Sequence, residues 1–212
     1  MPAGCYSAPT TTDRVISRQG WRTLPGEPTR WHNGQDYAGD EGDPFLAVRA
    51  GIIEAWYPSG AIGVRGYGNT IVIRHAPDVI TVYAHALDTR RDVGAFVTAG
   101  EQIGRIGRTS GRGGDPLAVV LKAHLHFEIV RRWPLRADDR AARYDVAATL
   151  AGWRAACETA GPAEPAAPPA PPWAAAPRET EPPTAAGDRR GAGDVLPWLA
   201  ILVIVAGRRR RT

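Results

Sequence analysis

The sequence predicts a mainly β protein: an antiparallel β-sheet or open-barrel domain, then a short C-terminal helix, a proline-rich linker and an apolar tail. Two observations support this fold class. From about Val15 to Val130, short apolar runs alternate with glycine-containing turns, which is typical of all-β domains with short strands. The length of 212 residues suits one domain with appendages. A β-sandwich is the alternative architecture that this pattern leaves open.

The clearest strands come in the middle of this region. Ile52–Tyr57 is an apolar run that ends in a Pro-Ser-Gly turn. Thr70–His75 and Val79–His85 are two further runs separated by only three residues. Because three residues cannot hold a parallel crossover, these two runs are predicted to form an antiparallel hairpin. Tyr83 and His85 should then share one face of the second strand.

The last strand predicted is His124–Val130, where polar and apolar residues alternate strictly. This alternation predicts one polar face and one face that fills a core. The polar face carries His124, His126 and Glu128; the core face carries Leu125, Phe127 and Ile129. An isolated H-x-H pattern is a weak signal for a metal site, because polar strand faces are common.

Composition divides the chain into five parts. We expect a loose N-terminus at 1–13, a β domain at 14–135, a helical extension at 136–160, a linker at 161–194 and an apolar segment with an arginine cluster at 195–212. Apolar residues at near-helical spacing between Asp138 and Trp153 predict the helix. Nine of the 34 linker residues are proline, and such a composition cannot bury enough apolar surface to order itself.

The tail predicts membrane contact through Val195–Arg211. Its twelve apolar residues, Val195–Ala206, would cover roughly 18 Å of a hydrocarbon core about 30 Å thick, so the segment is short for a transmembrane helix. The four arginines that follow resemble a stop at a cytoplasmic membrane face. A buried helix of the globular domain is the alternative interpretation.

Charge and cysteine content exclude some classes of partner and leave one question open. The net charge is +4, and without Arg208–Arg211 the chain has 22 basic and 22 acidic residues, so we expect no nucleic-acid partner. Cys5 and Cys157 lie near opposite ends of the folded region, and the sequence leaves their pairing open. No basic-then-apolar stretch opens the chain, so we expect no N-terminal signal peptide.

Histidines and one aspartate supply the candidate chemistry. His32 and Asp36 lie four residues apart in a glycine-containing stretch, and imidazole and carboxylate groups both suit Zn²⁺. A catalytic zinc has three protein ligands and one open position, so His32, Asp36 and one histidine of the H-x-H pair would complete the set. His85 is then a candidate acid or base rather than a fourth ligand.

These motifs resemble those of the lysostaphin-type zinc metallopeptidases, which cut peptidoglycan cross-bridges. His32–Asp36 matches the family's H-x-x-x-D motif, Tyr83–His85 its Y-x-H motif and His124–His126 its H-x-H motif. Three framework stretches are also similar in order along the chain: Ser17–Arg22, Gly68–His75 and Val97–Gly104. Their patterns are S-x-x-G-x-R, G-N-x-x-x-I-x-H and V-x-x-G-x-x-I-G.

The resemblance implies a zinc endopeptidase with one zinc per chain that hydrolyses peptide cross-links of bacterial peptidoglycan. His32, Asp36 and His126 would be the zinc ligands. His85 and His124 would be the catalytic residues, one helping to deprotonate water and the other stabilising the oxyanion or protonating the leaving amine. His75 is interpreted as a structural or groove-wall histidine, and Glu128 as either a hydrogen-bond partner of a ligand or a solvated residue.

Two other functions and several details stay open. A non-catalytic peptidoglycan-binding or regulatory envelope protein on the same fold is the first alternative, and an envelope structural protein is the second. The cross-link could be a glycyl bridge or a direct D-alanyl link to a diamino acid. A wall substrate predicts a cell-envelope location with the catalytic domain facing the wall, and the export route stays open.

Overall fold

The computed structural model describes residues 5–59, 66–110, 122–135 and 138–160. The described residues all lie within one compact unit. They form twelve β-strands, a 3-10 turn and a helix. The strands are β1 Val15–Ser17, β2 Gly20–Arg22, β3 Arg30–His32, β4 Gln35–Ala38, β5 Pro44–Leu46, β6 Gly51–Tyr57, β7 Thr70–Ala76, β8 Val79–Ala84, β9 Ala86–Thr89, β10 Phe96–Val97, β11 Gln102–Ile106 and β12 His124–Val130. The 3-10 turn is Arg140–Ala142 and α1 is Val146–Ala160.

The mainly β prediction is confirmed, and the strands form open sheets. The largest sheet has seven strands in the order β1-β4-β12-β8-β7-β6-β10, and a three-stranded sheet has the order β5-β11-β9. Strands β2 and β3 form a separate pair. Neighbouring strands are antiparallel, including the predicted hairpin of β7 and β8. Within the described residues the large sheet therefore has two edges and is not a closed barrel.

Two apolar clusters cover opposite faces of the large sheet. One cluster contains the inward side chains of β12, Leu125, Phe127 and Ile129, all fully buried as their alternation predicted. Tyr83 belongs to this cluster, with its ring 5.1 Å from that of Phe127. The second cluster includes Val82, Val130 and Leu135. Because the polar face of β12 lies on the second side, part of that face is buried as well.

The C-terminal extension differs from the helix expected between Asp138 and Trp153. Arg143 has an extended backbone, with φ −105° and ψ 138°, so the helix cannot begin before it. Instead, α1 begins at Val146, where Asp145 Oδ1 accepts a hydrogen bond from the Ala148 amide. Val146, Leu150 and Cys157 follow a helical stripe and are buried against the sheet.

The N-terminus is more ordered than the sequence predicts, and the tail lies outside the described residues. Residues 5–13, expected to be loose, are held to the domain: the Ser7 amide donates to Val48 O at 2.9 Å, and Cys5 forms a disulfide with Cys157. This bond answers the pairing question that the sequence left open. In the described part of the chain, no helix has the length and apolar character needed to cross a membrane. The linker 161–194 and the segment 195–212 lie outside the described residues.

Candidate metal centre

Strand register brings Asp36 and His126 together. Asp36 of β4 lies directly opposite His126 of β12 in the antiparallel pair, so both side chains emerge on the same face. Asp36 Oδ1 lies 2.9 Å from His126 Nδ1. Both residues are buried, with exposed fractions of 6% and 8%. A carboxylate and an imidazole ring 90 residues apart in sequence thus meet away from bulk water.

His32 completes a group of three ligand atoms. Its Nε2 lies 3.1 Å from Asp36 Oδ1 and 3.1 Å from His126 Nδ1. These three atoms could hold a metal ion, and among the described residues they form a buried cluster of metal-ligating side chains. Two imidazole nitrogens and one carboxylate oxygen are a donor set that suits zinc.

A glycine makes this approach possible. Gly34 lies in the two-residue connection between β3 and β4, which carry His32 and Asp36. A Cβ at this position would be 2.3 Å from Phe127 O, 2.7 Å from Glu128 Cγ and 2.9 Å from His126 Cε1. The connection therefore packs against β12 too closely for any side chain.

In each of the three side chains, the polar atom that faces away from the cluster forms a hydrogen bond with another group of the protein. His32 Nδ1 lies 2.9 Å from Arg18 O, and because a carbonyl can only accept, this nitrogen carries the proton. His126 Nε2 lies 3.0 Å from Glu128 Oε1 and donates to it. Arg22 donates to Asp36 Oδ2 at 3.0 Å. Both imidazole rings are thus oriented with a lone pair available at the cluster, which fits metal ligation.

Electrostatics keep the carboxylates ionised. Burial raises the pKa of Asp36, but its contacts with His126 and His32 outweigh burial and hold that pKa far below its usual range. Burial likewise raises the pKa of Glu128, and His126 and Arg143 outweigh it, so its pKa is also lowered. Burial lowers the pKa of His126, whereas Asp36 and Glu128 bring it to about 9. A metal ion would have to displace the proton that this value describes.

His85 and His124 lie beside the cluster. The His124 Nε2 atom is 3.9 Å from Asp36 Oδ1, and the His85 ring is 5.9 Å from the His126 ring. The Nδ1 atoms of both rings donate to carbonyl groups, His85 to Thr109 O and His124 to Lys122 O, each at 2.7 Å. Each ring therefore keeps its Nε2 as an acceptor. Burial and the neighbouring rings of His124 and His126 lower the pKa of His85 to about 3, so it is neutral at pH 7.

The expectation that Tyr83 and His85 share a strand face is wrong. Strand β8 ends at Ala84, and His85 has a positive φ of 61°. This left-handed conformation reverses the alternation, so Tyr83 packs in the core with Phe127 while His85 turns to His126. A non-glycine residue at positive φ is strained, and such strain concentrates at functional sites.

His75 and Glu128 are the two remaining polar residues of the motif region, and their hydrogen-bond partners show what each contacts. His75 hydrogen-bonds to Ala50 O and to Thr81 Oγ1, and its ring contacts Trp153, so its partners belong to the fold rather than to the cluster. Glu128 is fully buried and hydrogen-bonds to His126. It is therefore not a solvated residue.

Sequence reasoning missed several residues that hold the site. Thr109 orients His85 through its carbonyl oxygen, and its side chain accepts from the Asn69 amide at 2.9 Å. Arg22 and Asn69 occur in the framework stretches that resemble the family, so a signal for them existed. Tyr67 and Arg143, both bonded to Glu128, had no signal of their own.

Two curated proteins are similar to this chain over only part of their own length. One relative, the DD-carboxypeptidase/endopeptidase Mpg of Neisseria meningitidis serogroup B, is 39% identical over 121 residues, 57% of this chain and 25% of that protein. Another, the murein hydrolase activator NlpD of Salmonella dublin, is 31% identical over 126 residues, 57% of this chain and 30% of that protein. The chain thus matches about a quarter to a third of the length of these two relatives.

Comparisons of structure and family agree with the geometry. The catalytic domain of lysostaphin from Staphylococcus simulans superposes with a TM-score of 0.54 at 24% identity, covering 69% of this chain and 98% of that domain, which shows a shared fold. The model of peptidase family M23 matches residues 30–138. This range includes the three residues of the cluster and the two histidines beside it. This match spans half of the sequence and contains the candidate metal centre: the chain belongs to peptidase family M23.

Proposed function

We propose that this chain is a zinc-dependent endopeptidase that hydrolyses peptide cross-links of bacterial peptidoglycan. The observation that carries the proposal is the convergence of His32 Nε2, Asp36 Oδ1 and His126 Nδ1, with the His85 and His124 rings beside them. Membership of family M23 and the similarity to a protein named DD-carboxypeptidase/endopeptidase support the same activity. The match covers a quarter of that relative, so the activity is a proposal for this chain.

The three ligands divide the work of holding zinc, one ion per chain. His32 and His126 would each supply a neutral imidazole nitrogen, and Asp36 would supply a charged oxygen. Zinc, when bound, polarises a carbonyl group and makes a water molecule more acidic. Arg18 O, Arg22 and Glu128 keep the ligand side chains in place through the bonds described above.

His85 and His124 would move the protons of peptide hydrolysis. Each presents Nε2 as an acceptor, which is the atom that could take a proton from water. The second ring would then stabilise the negative oxygen or return a proton to the leaving amine.

A regulatory role is the second candidate. The similarity to a protein named murein hydrolase activator NlpD favours it. The complete set of two histidines and one aspartate at the cluster, with two further histidines beside it, favours catalysis instead.

A cell-envelope location follows from the proposed substrate. The Cys5–Cys157 disulfide supports it, because disulfides persist in oxidising compartments such as the bacterial periplasm and outer surfaces. Membrane contact through Val195–Arg211 stays a proposal from the sequence alone, as do the boundaries of the linker and tail.

Incubation of the zinc-loaded protein with purified peptidoglycan tests the function. We expect new amine and carboxyl ends at one type of cross-link, identified by mass spectrometry of the released peptides. His126→Ala should release none, because it removes a ligand. Chelation should stop release by the wild type, and added zinc should restore it. Zinc-loaded wild type that releases no peptide would exclude this function and favour the regulatory one.

A further inference from the structure

The segment that follows the family match reaches into the metal centre. The match ends at residue 138, and Arg143 lies five residues beyond it. Arg143 Nε donates to Glu128 Oε2 at 2.9 Å, and the two side chains are 2% and 0% exposed. Glu128 Oε1 in turn accepts from His126 Nε2 at 3.0 Å and from the Tyr67 hydroxyl. A single buried carboxylate thus joins Arg143 to a metal ligand.

The charge of Glu128 explains why its two oxygens have these partners. Ionised Glu128 can accept hydrogen bonds at both oxygens, and as a fully buried residue it has no solvent to stabilise its charge. The guanidinium of Arg143 supplies the opposite charge that stabilises Glu128. Its hydrogen bond to Oε2 leaves Oε1 turned to His126. A carboxylate fixed in this way keeps the proton of His126 on Nε2 and its lone pair on Nδ1, the atom that lies in the cluster.

The backbone around Arg143 is attached to the same strand. Arg143 pairs with Val130 of β12 in an isolated bridge, and the Tyr144 amide donates to Ile129 O at 2.9 Å. These bonds add an extended piece beside the end of β12 that carries Glu128. The position of the guanidinium is therefore set by backbone pairing rather than by a flexible loop.

Gln19 links the segment to the other side of the centre. Its Nε2 donates to Asn33 O at 3.0 Å and to Tyr144 O at 3.1 Å, while its Oε1 accepts from the Val146 amide at 3.0 Å. Asn33 follows the ligand His32 directly. Gln19 thus connects the start of α1 to the residue that follows the ligand His32.

We propose that Arg143 is a positioning residue of the metal centre, acting through Glu128 on His126, and that the segment after the family match is required for tight metal binding. This inference rests on the zinc site of the proposed function. It assigns Arg143 no contact with substrate. It also predicts that a fragment ending at residue 138 has an incomplete site.

Zinc affinity of the full chain tests the proposal. We expect Arg143→Met to raise the zinc dissociation constant about 10- to 100-fold, the usual cost of losing an outer hydrogen-bond partner of a metal ligand. Arg143→Lys keeps the charge but not the same geometry, so its affinity should lie between. Arg140→Met is the matched control, because Arg140 is exposed, lies in the same segment and stacks on Trp21 and Trp31. Competition with a chromophoric chelator measures all four proteins.

A second variant covers the case in which Arg143→Met does not fold. The double variant Glu128→Gln/Arg143→Met removes both buried charges and is compared with Glu128→Gln alone. Because Arg143 acts through Glu128, we expect equal zinc affinities for these two, both at least about tenfold weaker than wild type.

The outcomes separate this proposal from the proposed function. A folded Arg143→Met protein, or the double variant, with wild-type zinc affinity would overturn the role of Arg143. A wild type that binds zinc but cleaves no peptidoglycan would overturn the function alone. A wild type that binds no zinc would overturn both.

Discussion

The rings of His85 and His124 lie 4.6 Å apart, centroid to centroid. They meet because β8 and β12 are antiparallel neighbours, so the residue after the end of β8 lies beside the first residue of β12. Neither ring belongs to the three-residue ligand cluster. Under the proposed function, this pair would move protons without holding the metal.

The first prediction separates these two histidines from the ligands. His85→Ala and His124→Ala should keep one zinc per chain but lose at least about 100-fold in kcat, as expected for acid–base groups. Metal analysis and peptide release measure the two properties. His75→Asn is the control, because His75 bonds to Ala50 and Thr81, and it should keep both. Loss of zinc in either alanine variant would make that histidine a ligand.

The second prediction concerns the close packing at Gly34. Gly34→Ala places a Cβ 2.3 Å from Phe127 O, and a backbone atom in a central strand cannot move away easily. We expect a loss of about 1–3 kcal/mol in the free energy of unfolding and weaker zinc binding. Urea unfolding and chelator competition measure them. Gly152→Ala, a site in α1 with no atom within 4 Å, should instead be neutral or stabilise by up to about 1 kcal/mol.

The third prediction is a pH dependence of stability from His75. Burial, followed by the charge of Arg49, lowers the pKa of folded His75 from 6.5 to about 4, although its hydrogen bond to Ala50 O acts in the other direction. Between these two values the unfolded chain binds the proton and the folded chain does not. The free energy of unfolding should therefore rise with pH from about 4 to 6.5 and then level off, with a contribution of at most about 3 kcal/mol.

Comparison with His75→Asn isolates this contribution. Other groups titrate equally in both proteins, so the difference between their unfolding free energies should grow from pH 4 to pH 6.5 in favour of wild type. Urea unfolding at a series of pH values gives the two curves. Parallel curves over this range would contradict the prediction.

The fourth prediction concerns the disulfide between Cys5 and Cys157. It joins residues 152 apart, and the crosslink restricts the unfolded chain. Cys5→Ser/Cys157→Ser should lose about 2–5 kcal/mol in the free energy of unfolding. Reduction of the wild type with a phosphine should produce the same shift in the urea midpoint and leave the double variant unchanged. Equal midpoints for the oxidised wild type and the variant would show that the bond contributes nothing.

The fifth prediction concerns the tail. Deletion of Val195–Thr212 should release the protein from membranes, because the apolar segment and its arginines would no longer contact lipid. Cleavage of soluble peptidoglycan fragments should not change, since every proposed site residue precedes the deletion. Replacing Arg208–Arg211 with serine should weaken membrane association in part. Fractionation at low salt measures the association, and a fully soluble intact protein would exclude the anchor.

Local patterns in the sequence were enough for much of the fold. The strict alternation in His124–Val130 predicted the strand with its bounds, its core face and its polar face, because a strand places successive side chains on opposite sides. The short connection between the runs that became β7 and β8 predicted their antiparallel pairing for an equally local reason. The resemblance of ordered motifs supplied the family and the residues that could bind metal.

Contacts between distant parts of the chain required the tertiary structure. No local pattern places Asp36 opposite His126, joins Cys5 to Cys157 or brings Arg143 to Glu128, since each depends on how strands and termini are arranged in space. The alternation rule failed at His85 because a positive φ turned its ring after the strand had ended. The sequence by itself determined which side chains could bind zinc; only the tertiary structure decided their hydrogen-bond partners, since burial and register arise from the packing of the whole chain.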